Sequence, residues 1–235
     1  MSKKHISLQG SISSEDNSQN NNKVLVKKSH AEERSKSRST FLRGFLVFIS
    51  LFFTGISLQF LSTGILNIID MCDPELLASY RSMVDSSFSL DNGFVRVSTV
   101  MFISPVCEEI VFRGVCLYIL QKLFQKILPS TSSRSSSITA VVISALLFGF
   151  YHGNIVQFCY AFPIGILLAL LVIWTSSLIP SIFLHIVINV SSYIVGLLKF
   201  TGASIPYVIA AGCLCLICIY ALYRLTAQTP SHKVS

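Results

Sequence analysis

Two glutamates and two histidines lie inside long apolar runs of this sequence, where ionisable residues are rare. Of the eleven acidic residues, only Glu108 and Glu109 lie in an apolar run. Of the five histidines, only His152 and His185 do so, and Arg113 is the one basic residue near the middle of such a run. Ionisable groups at membrane depth cost several kcal/mol each. Their clustering in this half of the chain therefore indicates a functional site.

Helical spacing separates the two glutamates. Glu109 and Arg113 are four residues apart, so on a helix they share one face and can form an ion pair. Glu108 points about 100° away from Glu109 and has no obvious partner on its own helix. A buried carboxyl without a partner is suited to proton transfer. His185 and Asn189 are also four residues apart and project from one face of their helix.

These residue types fit two hydrolytic chemistries. Two histidines and one carboxylate can bind zinc together with a water molecule. Without a metal, a glutamate and a histidine can activate water while a histidine and an asparagine donate to the oxyanion. The sequence has no His-Glu-x-x-His pattern, which mildly disfavours zinc. Structural packing by these groups and the proton relay of a transporter are the competing interpretations.

Composition places these residues on membrane-spanning helices. The chain is 52% hydrophobic and 12% charged, with a mean hydropathy of +0.66, whereas soluble domains carry about 25% charged residues. A run of about 20 apolar residues spans a bilayer as a helix. The sequence therefore predicts an all-α polytopic transmembrane helix bundle of about six spans. We place these spans at 42–68, 94–124, 138–151, 155–174, 178–198 and 205–223, with a kink at Pro105.

The polar segments predict how the chain is organised. Residues 1–40 are basic and rich in Ser and Asn, so they predict a disordered cytoplasmic tail. Residues 41–69 form the N-terminal span, 94–198 the catalytic membrane core and 204–226 the C-terminal span. We interpret the basic tail as a topology signal that touches anionic lipid, and not as a nucleic-acid arm.

Basic residues between the spans predict the orientation. Cytoplasmic loops are enriched in Lys and Arg. Lys122, Lys126, Arg134 and Arg224 all fall on the cytoplasmic side if both termini are cytoplasmic. The acidic loop 70–93 then lies on the opposite side. We therefore expect a multi-pass protein of a plasma or inner membrane with both termini in the cytoplasm.

Three short motifs resemble those of a known family. They are Glu-Glu-x-x-Phe-Arg-Gly at 108–114, Phe-x-x-x-His at 148–152 and His-x-x-x-Asn at 185–189. Their order and their positions on predicted spans resemble the CAAX-protease and bacteriocin-processing family. This family is also called the Abi family of intramembrane glutamic endopeptidases. The stretch 177–181 is similar to the family as well, and the resemblance covers roughly residues 94–198.

The resemblance implies a role for each motif residue. Glu108 is expected to activate a water with help from His152, and His185 and Asn189 to hold and polarise the scissile carbonyl. Glu109 and Arg113 are expected to orient the site.

The activity implied is hydrolysis of a peptide bond in a membrane-associated protein or peptide, without a cofactor. The expected partners are that substrate and the lipid bilayer. A membrane scaffold or immunity protein without enzymatic activity and a proton-coupled transporter are the alternative functions.

Overall fold

Helices form every regular element of the described chain, as the apolar runs predict. The computed structural model describes the backbone of residues 3–88, 93–127, 133–198 and 205–226, and these ranges contain no strand. The all-α fold class is confirmed. In chain order the elements are α1 (Lys3–Cys72), α2 (Pro74–Phe88), α3 (Gly93–Ser98), π1 (Thr99–Ile103), α4 (Ser104–Glu109), π2 (Ile110–Cys116), α5 (Leu117–Ile127), α6 (Ser133–Tyr151), α7 (Ile155–Thr175), α8 (Ile179–Leu197) and α9 (Ile205–Thr226).

Five helices within these ranges are long and apolar enough to cross a membrane. They are the Glu32–Cys72 part of α1, the Arg134–Tyr151 part of α6, and the whole of α7, α8 and α9. The remaining predicted span, 94–124, corresponds to the row of five segments from α3 to α5. Two π-helical stretches divide this row, so none of its segments alone has the length of a span. The protein is a polytopic helical membrane protein.

A π-helical turn directly precedes Pro105, where the sequence predicts a kink. In π1 the N–H of Ser104 bonds to the carbonyl of Thr99, one residue further back than in an α-helix. Pro105 comes next and has no N–H to offer the following carbonyl, which belongs to Val100. That carbonyl accepts instead from Nδ2 of Asn189 at 3.0 Å. The irregular turn is therefore held by α8.

Helices α6 and α7 pack closely against each other, next to the second π-helical stretch, π2. A Cβ atom added to Gly165 of α7 would lie 3.1 Å from the Phe148 ring and 3.3 Å from Cα of Ala145 on α6. Ala169, one turn further along α7, is fully buried. Gly165 and Ala169 therefore lie where α6 and α7 approach each other closely. Ser144 of α6 also donates to the Phe112 carbonyl in π2 at 2.9 Å.

The apolar core joins the long helices on the other side of α7. Its buried members come from α1, α7, α8 and α9, and include Leu51, Leu168, Leu171, Leu184 and Leu222. Because α7 contributes to this core and to the close packing with α6, it is a central helix of the bundle.

The segment predicted as a polar loop, 70–93, contains helix α2. The side chain of Asp73 accepts from the N–H of Leu76 at 2.9 Å, which caps the first turn. Leu77 is fully buried, and the hydroxyl of Tyr80 shares a hydrogen bond of 2.9 Å with that of Tyr160 on α7. The segment is therefore not only a loop, because an Asp-Pro helix start and apolar residues at helical spacing form a helix within its polar composition.

The sequence predicts a disordered tail at residues 1–40, whereas in the structure helix α1 begins at Lys3. Residues 3–40 contain no proline and a single glycine, so no residue type strongly opposes a helix that continues back from the apolar span. The described side chains of this part, 32–40, are all exposed. By its contacts the chain divides into two units, Met1–Leu46 and Val47–Ser235. All candidate site residues belong to the second unit.

Candidate active site

Three elements carry five of the predicted site residues, and the sixth follows a fourth element. Glu108 and Glu109 are the last two residues of α4, Arg113 lies in π2, and His185 and Asn189 lie on α8. His152 follows the last residue of α6. The structure brings the two glutamates, the arginine and His185 into direct contact, whereas Asn189 contacts the backbone of π1.

The predicted ion pair between Glu109 and Arg113 is confirmed. Arg113 Nη1 lies 3.0 Å from Oε1 of Glu109, and neither side chain is exposed. Nη2 of Arg113 also donates to the carbonyl of Gly165 at 3.3 Å. Its guanidinium lies 4.1 Å from the centroid of the Phe148 ring, a cation–π distance. These contacts offset part of the cost of removing both charges from water, because Nε and Nη1 of Arg113 are buried without a hydrogen-bond partner among the described residues.

Glu109 has two further partners that the sequence reasoning missed. Nδ1 of His185 lies 2.9 Å from Oε1 of Glu109, and the hydroxyl of Ser181 donates to Oε2. Ser181 is fully buried, and its oxygen also lies 3.1 Å from the carbonyl of Leu168. The signal was present, since Ser181 and His185 are four residues apart and share one face of α8.

The carboxyl of Glu108 has a different environment from the carboxyl of Glu109. Its Oε2 lies 3.7 Å from Nε2 of His185, and its side chain is 15% exposed. This distance is too long for a direct hydrogen bond, and no other described residue hydrogen-bonds the carboxyl. The sequence prediction that Glu108 has no partner on its own helix therefore agrees with the structure. The two adjacent carboxyls occupy distinct environments, one fully bonded and one facing a histidine across a gap.

The ring of Phe148 positions several site residues at once. It is 1% exposed and meets the rings of His152 and His185 edge-on, at centroid distances of 5.0 and 5.6 Å. It packs against Phe112 in the same way at 5.4 Å. Because its face also covers the Arg113 guanidinium, this ring links α6, π2 and α8. Its place in the Phe-x-x-x-His motif was the sequence signal for this role.

His152 lies at the end of α6. The helix stops there because Gly153 has φ of +66°, a conformation that glycine adopts at low cost. Nδ1 of His152 hydrogen-bonds the carbonyl of Phe148 at 2.9 Å. A carbonyl only accepts, so Nδ1 carries the hydrogen and Nε2 of the neutral ring has a lone pair.

Asn189 was expected beside His185 at the scissile carbonyl. It lies two turns beyond Ser181 on the same face of α8, but one N–H of its amide bonds the Val100 carbonyl. Among the described residues, no hydrogen bond joins Asn189 to the glutamates or histidines. A side-chain amide has two N–H groups, so the second N–H is not committed by this contact.

A metal site needs several donor side chains that converge on one point. Across the part of the chain that the structure describes, no three His, Cys, Asp or Glu side chains converge closely enough to hold a metal ion. Nδ1 of His185 and Nδ1 of His152 already have hydrogen-bond partners. Only Nε2 of each ring is left for another ligand.

The comparisons with known proteins agree with the three motifs. The family described as type II CAAX prenyl endopeptidase Rce1-like matches residues 91–191, the stretch that contains all six predicted site residues. Searches of curated proteins and of solved structures gave no match. The general class supported by this match is a CAAX-type intramembrane endopeptidase. The match over residues 91–191 therefore confirms the resemblance to the CAAX-protease family that the motifs carry.

Proposed function

We propose that the protein is an intramembrane endopeptidase in which Glu108 activates the water that attacks a peptide bond. The contrast between the two adjacent carboxyls carries this proposal. Glu109 is held by an arginine, a histidine and a serine, whereas Glu108 faces Nε2 of His185 across 3.7 Å. An atom placed beside this pair can lie within hydrogen-bond distance of both. A water at that place has a carboxylate base and a ring nitrogen next to it.

The other motif residues complete the mechanism. The lone pair on Nε2 of His152 suits it to assist Glu108 in removing a proton from water. His185 and Asn189 polarise the scissile carbonyl, since they lie one turn apart on the same face of α8. The uncommitted N–H of Asn189 is the group that donates to this carbonyl. Glu109 and Arg113 orient the site, and no cofactor takes part.

The surroundings of Glu108 favour a substrate that arrives through the membrane. On the same turn, Cys107 is exposed, and Ile110 and Val111 are 48% and 54% exposed. Glu108 thus lies at the boundary between the bundle interior and an apolar outer surface. The matched family is described as acting on CAAX prenyl proteins. A membrane-associated protein or peptide, with a prenylated Cys at its end as the first candidate, is the substrate class we propose.

The basic residues support an orientation with both termini in the cytoplasm of a plasma or inner membrane. Lys122, Lys126, Arg134 and Arg224 are then cytoplasmic, and the end of α1 is outside. Cys72, the last residue of α1, is exposed. A membrane-impermeant maleimide should label Cys72 in intact cells, with Cys72→Ser as the control. Labelling only after the cells are opened would reverse the orientation.

Cleavage by the purified full-length chain tests the activity. Quenched peptides that end in Cys-a-a-X, farnesylated and unmodified, are incubated with wild type, Glu108→Gln and Glu75→Gln in detergent. Glu75 is an exposed carboxyl on α2, so Glu75→Gln is the matched control. Cleavage by wild type and Glu75→Gln, its loss in Glu108→Gln and its persistence with a chelator are expected.

Other outcomes would contradict separate parts of the proposal. Loss of cleavage with chelator would replace the metal-free mechanism by a metal-dependent one. Retained cleavage in both Glu108→Gln and His152→Ala would refute the assigned base. Absence of cleavage in every sample would favour the scaffold or transporter. A scaffold is expected to complement a deletion strain even as Glu108→Gln, whereas a transporter would show flux that depends on Glu108.

A further inference from the structure

His185 lies between the two carboxyls, and its two nitrogens face one each. Nδ1 is 2.9 Å from Oε1 of Glu109, and Nε2 is 3.7 Å from Oε2 of Glu108. The ring is nearly buried, with 5% of the residue exposed, and the edge contact with Phe148 restricts its orientation. Which nitrogen carries the hydrogen therefore decides what His185 can do in the reaction.

The partners of Glu109 decide this question. Its ion pair with the buried Arg113 keeps the carboxyl ionised, and an ionised carboxylate can only accept hydrogen bonds. The hydroxyl of Ser181 donates to Oε2, while Oε1 forms the ion pair with Nη1 of Arg113 and lies 2.9 Å from Nδ1 of His185. Nδ1 must therefore be the donor, so it carries the hydrogen.

A neutral imidazole has a single N–H, so Nε2 then has a lone pair. We propose that Glu109, held by Arg113 and Ser181, fixes resting His185 as the Nδ1–H tautomer, so that Nε2 faces Glu108 as a proton acceptor. This inference rests on the proposed peptidase function and changes the part that His185 plays in it. In the resting state Nε2 cannot donate to an oxyanion, and it becomes a donor only after it has taken up a proton.

The proton of the attacking water supplies that hydrogen. Glu108 accepts the proton as the water oxygen bonds to the carbonyl carbon, and the π electron pair moves to the carbonyl oxygen. The proton passes from Glu108 to Nε2, which leaves Glu108 ionised and gives an imidazolium whose Nδ1–H still bonds Glu109. The new Nε2–H donates to the oxyanion. When the C–N bond breaks, this proton moves to the leaving nitrogen, and the products are a carboxylic acid and an amine.

Nitrogen NMR of the resting protein tests the tautomer without any turnover. The full-length chain is labelled with ¹⁵N-histidine in detergent micelles, and the His185 signals are assigned from the difference with His185→Gln. One protonated nitrogen, assigned as Nδ1, is expected for wild type at neutral pH. A neutral ring protonated at Nε2 would overturn the inference, and so would a ring protonated at both nitrogens.

Kinetics of Glu109→Gln test the role of the charge. Glutamine can place its oxygen at the Oε1 position to accept from Nδ1 of His185, and its amide toward the hydroxyl of Ser181, which also reaches the Leu168 carbonyl. The hydrogen bonds of Glu109 therefore have replacements, and the charge that faces Arg113 is what the substitution removes. A purely structural role therefore predicts near wild-type rates. Loss of the charge that stabilises the imidazolium predicts a kcat at least about a hundredfold lower, with KM changed less than about threefold.

The two readouts separate the possible failures. If Glu109→Gln does not fold, because Arg113 is left buried without its counter-charge, the wild-type NMR result alone decides the tautomer. An active peptidase with Nε2–H in the resting state would overturn this inference and leave the proposed function standing. The Nδ1–H tautomer in a chain that cleaves no peptide would overturn the proposed function, and the proton-transfer role with it.

Discussion

The buried pair of Glu109 and Arg113 gives a quantitative prediction for a double-mutant cycle. At the observed 3.0 Å, two unit charges attract by about 5 kcal/mol at an effective dielectric of about 20. Arg113→Gln also removes the cation–π contact with Phe148 at 4.1 Å. Either Glu109→Gln or Arg113→Gln leaves one buried charge without its partner, and each should cost about 3–5 kcal/mol of unfolding free energy. The double variant leaves no uncompensated charge and should cost no more than either single variant.

Trp174 makes the measurement direct. It is the single tryptophan of the chain and it packs against the apolar core of α1, α7, α8 and α9, so its fluorescence follows unfolding in mixed detergent micelles. The coupling between the two substitutions should be about 3 kcal/mol or more. Arg81→Gln is the control, because Arg81 and Asp70 are about half exposed and 4.0 Å apart, and it should cost at most about 1 kcal/mol. Additivity within about 0.5 kcal/mol would refute the reasoning.

Two further predictions concern helix contacts next to the site. Gly165→Ala should destabilise the fold by about 1–3 kcal/mol, because a Cβ there meets a ring at 3.1 Å and a backbone atom of α6 at 3.3 Å. Gly114→Ala should be neutral or stabilising, because its Cβ would lie 3.4 Å from a methyl group of Leu178 and 4.0 Å from the Glu109 carbonyl oxygen, which are ordinary contacts. Equal costs of the two substitutions in thermal unfolding would contradict the packing argument. Asn189→Leu should cost about 1–3 kcal/mol, because the Val100 carbonyl loses its donor. This cost should shrink in a Pro105→Ala background, which restores a backbone N–H, and an unchanged cost would show that the carbonyl has another partner.

The helical fold followed from the sequence because span length and hydropathy depend on local composition alone. Residues that interact along one helix were equally accessible, and the Glu109–Arg113 pair is the example. The interruptions of the second predicted span were harder to predict from the sequence. Pro105 predicts an irregularity in the helix. The sequence alone does not show that this irregularity includes a π-helical turn held by a residue of α8.

Residue spacing along the sequence could not predict the contacts of the site that join one helix to another. Nothing local places Ser181 against Glu109 or the Phe148 ring between Arg113 and two histidines. Periodicity gives the face of a helix but not the helix that it meets, because that depends on how all of the helices pack. The sequence could therefore separate the two glutamates, but it could not show what holds each of them.

The bonding of Glu109 explains why two adjacent carboxyls are useful here. One glutamate alone would have to satisfy Arg113 and His185 and also bind water, and a carboxylate that is already bonded at both oxygens is a poor base. In this site Glu109 makes the structural contacts, with the ion pair to Arg113 and Nδ1 of His185 at one oxygen and the hydrogen bond from Ser181 at the other. Glu108, turned about 100° around the helix, meets the opposite nitrogen of the same histidine. In the proposed mechanism, His185 thus connects a fixed carboxylate, Glu109, to a second carboxylate, Glu108, whose proton can move.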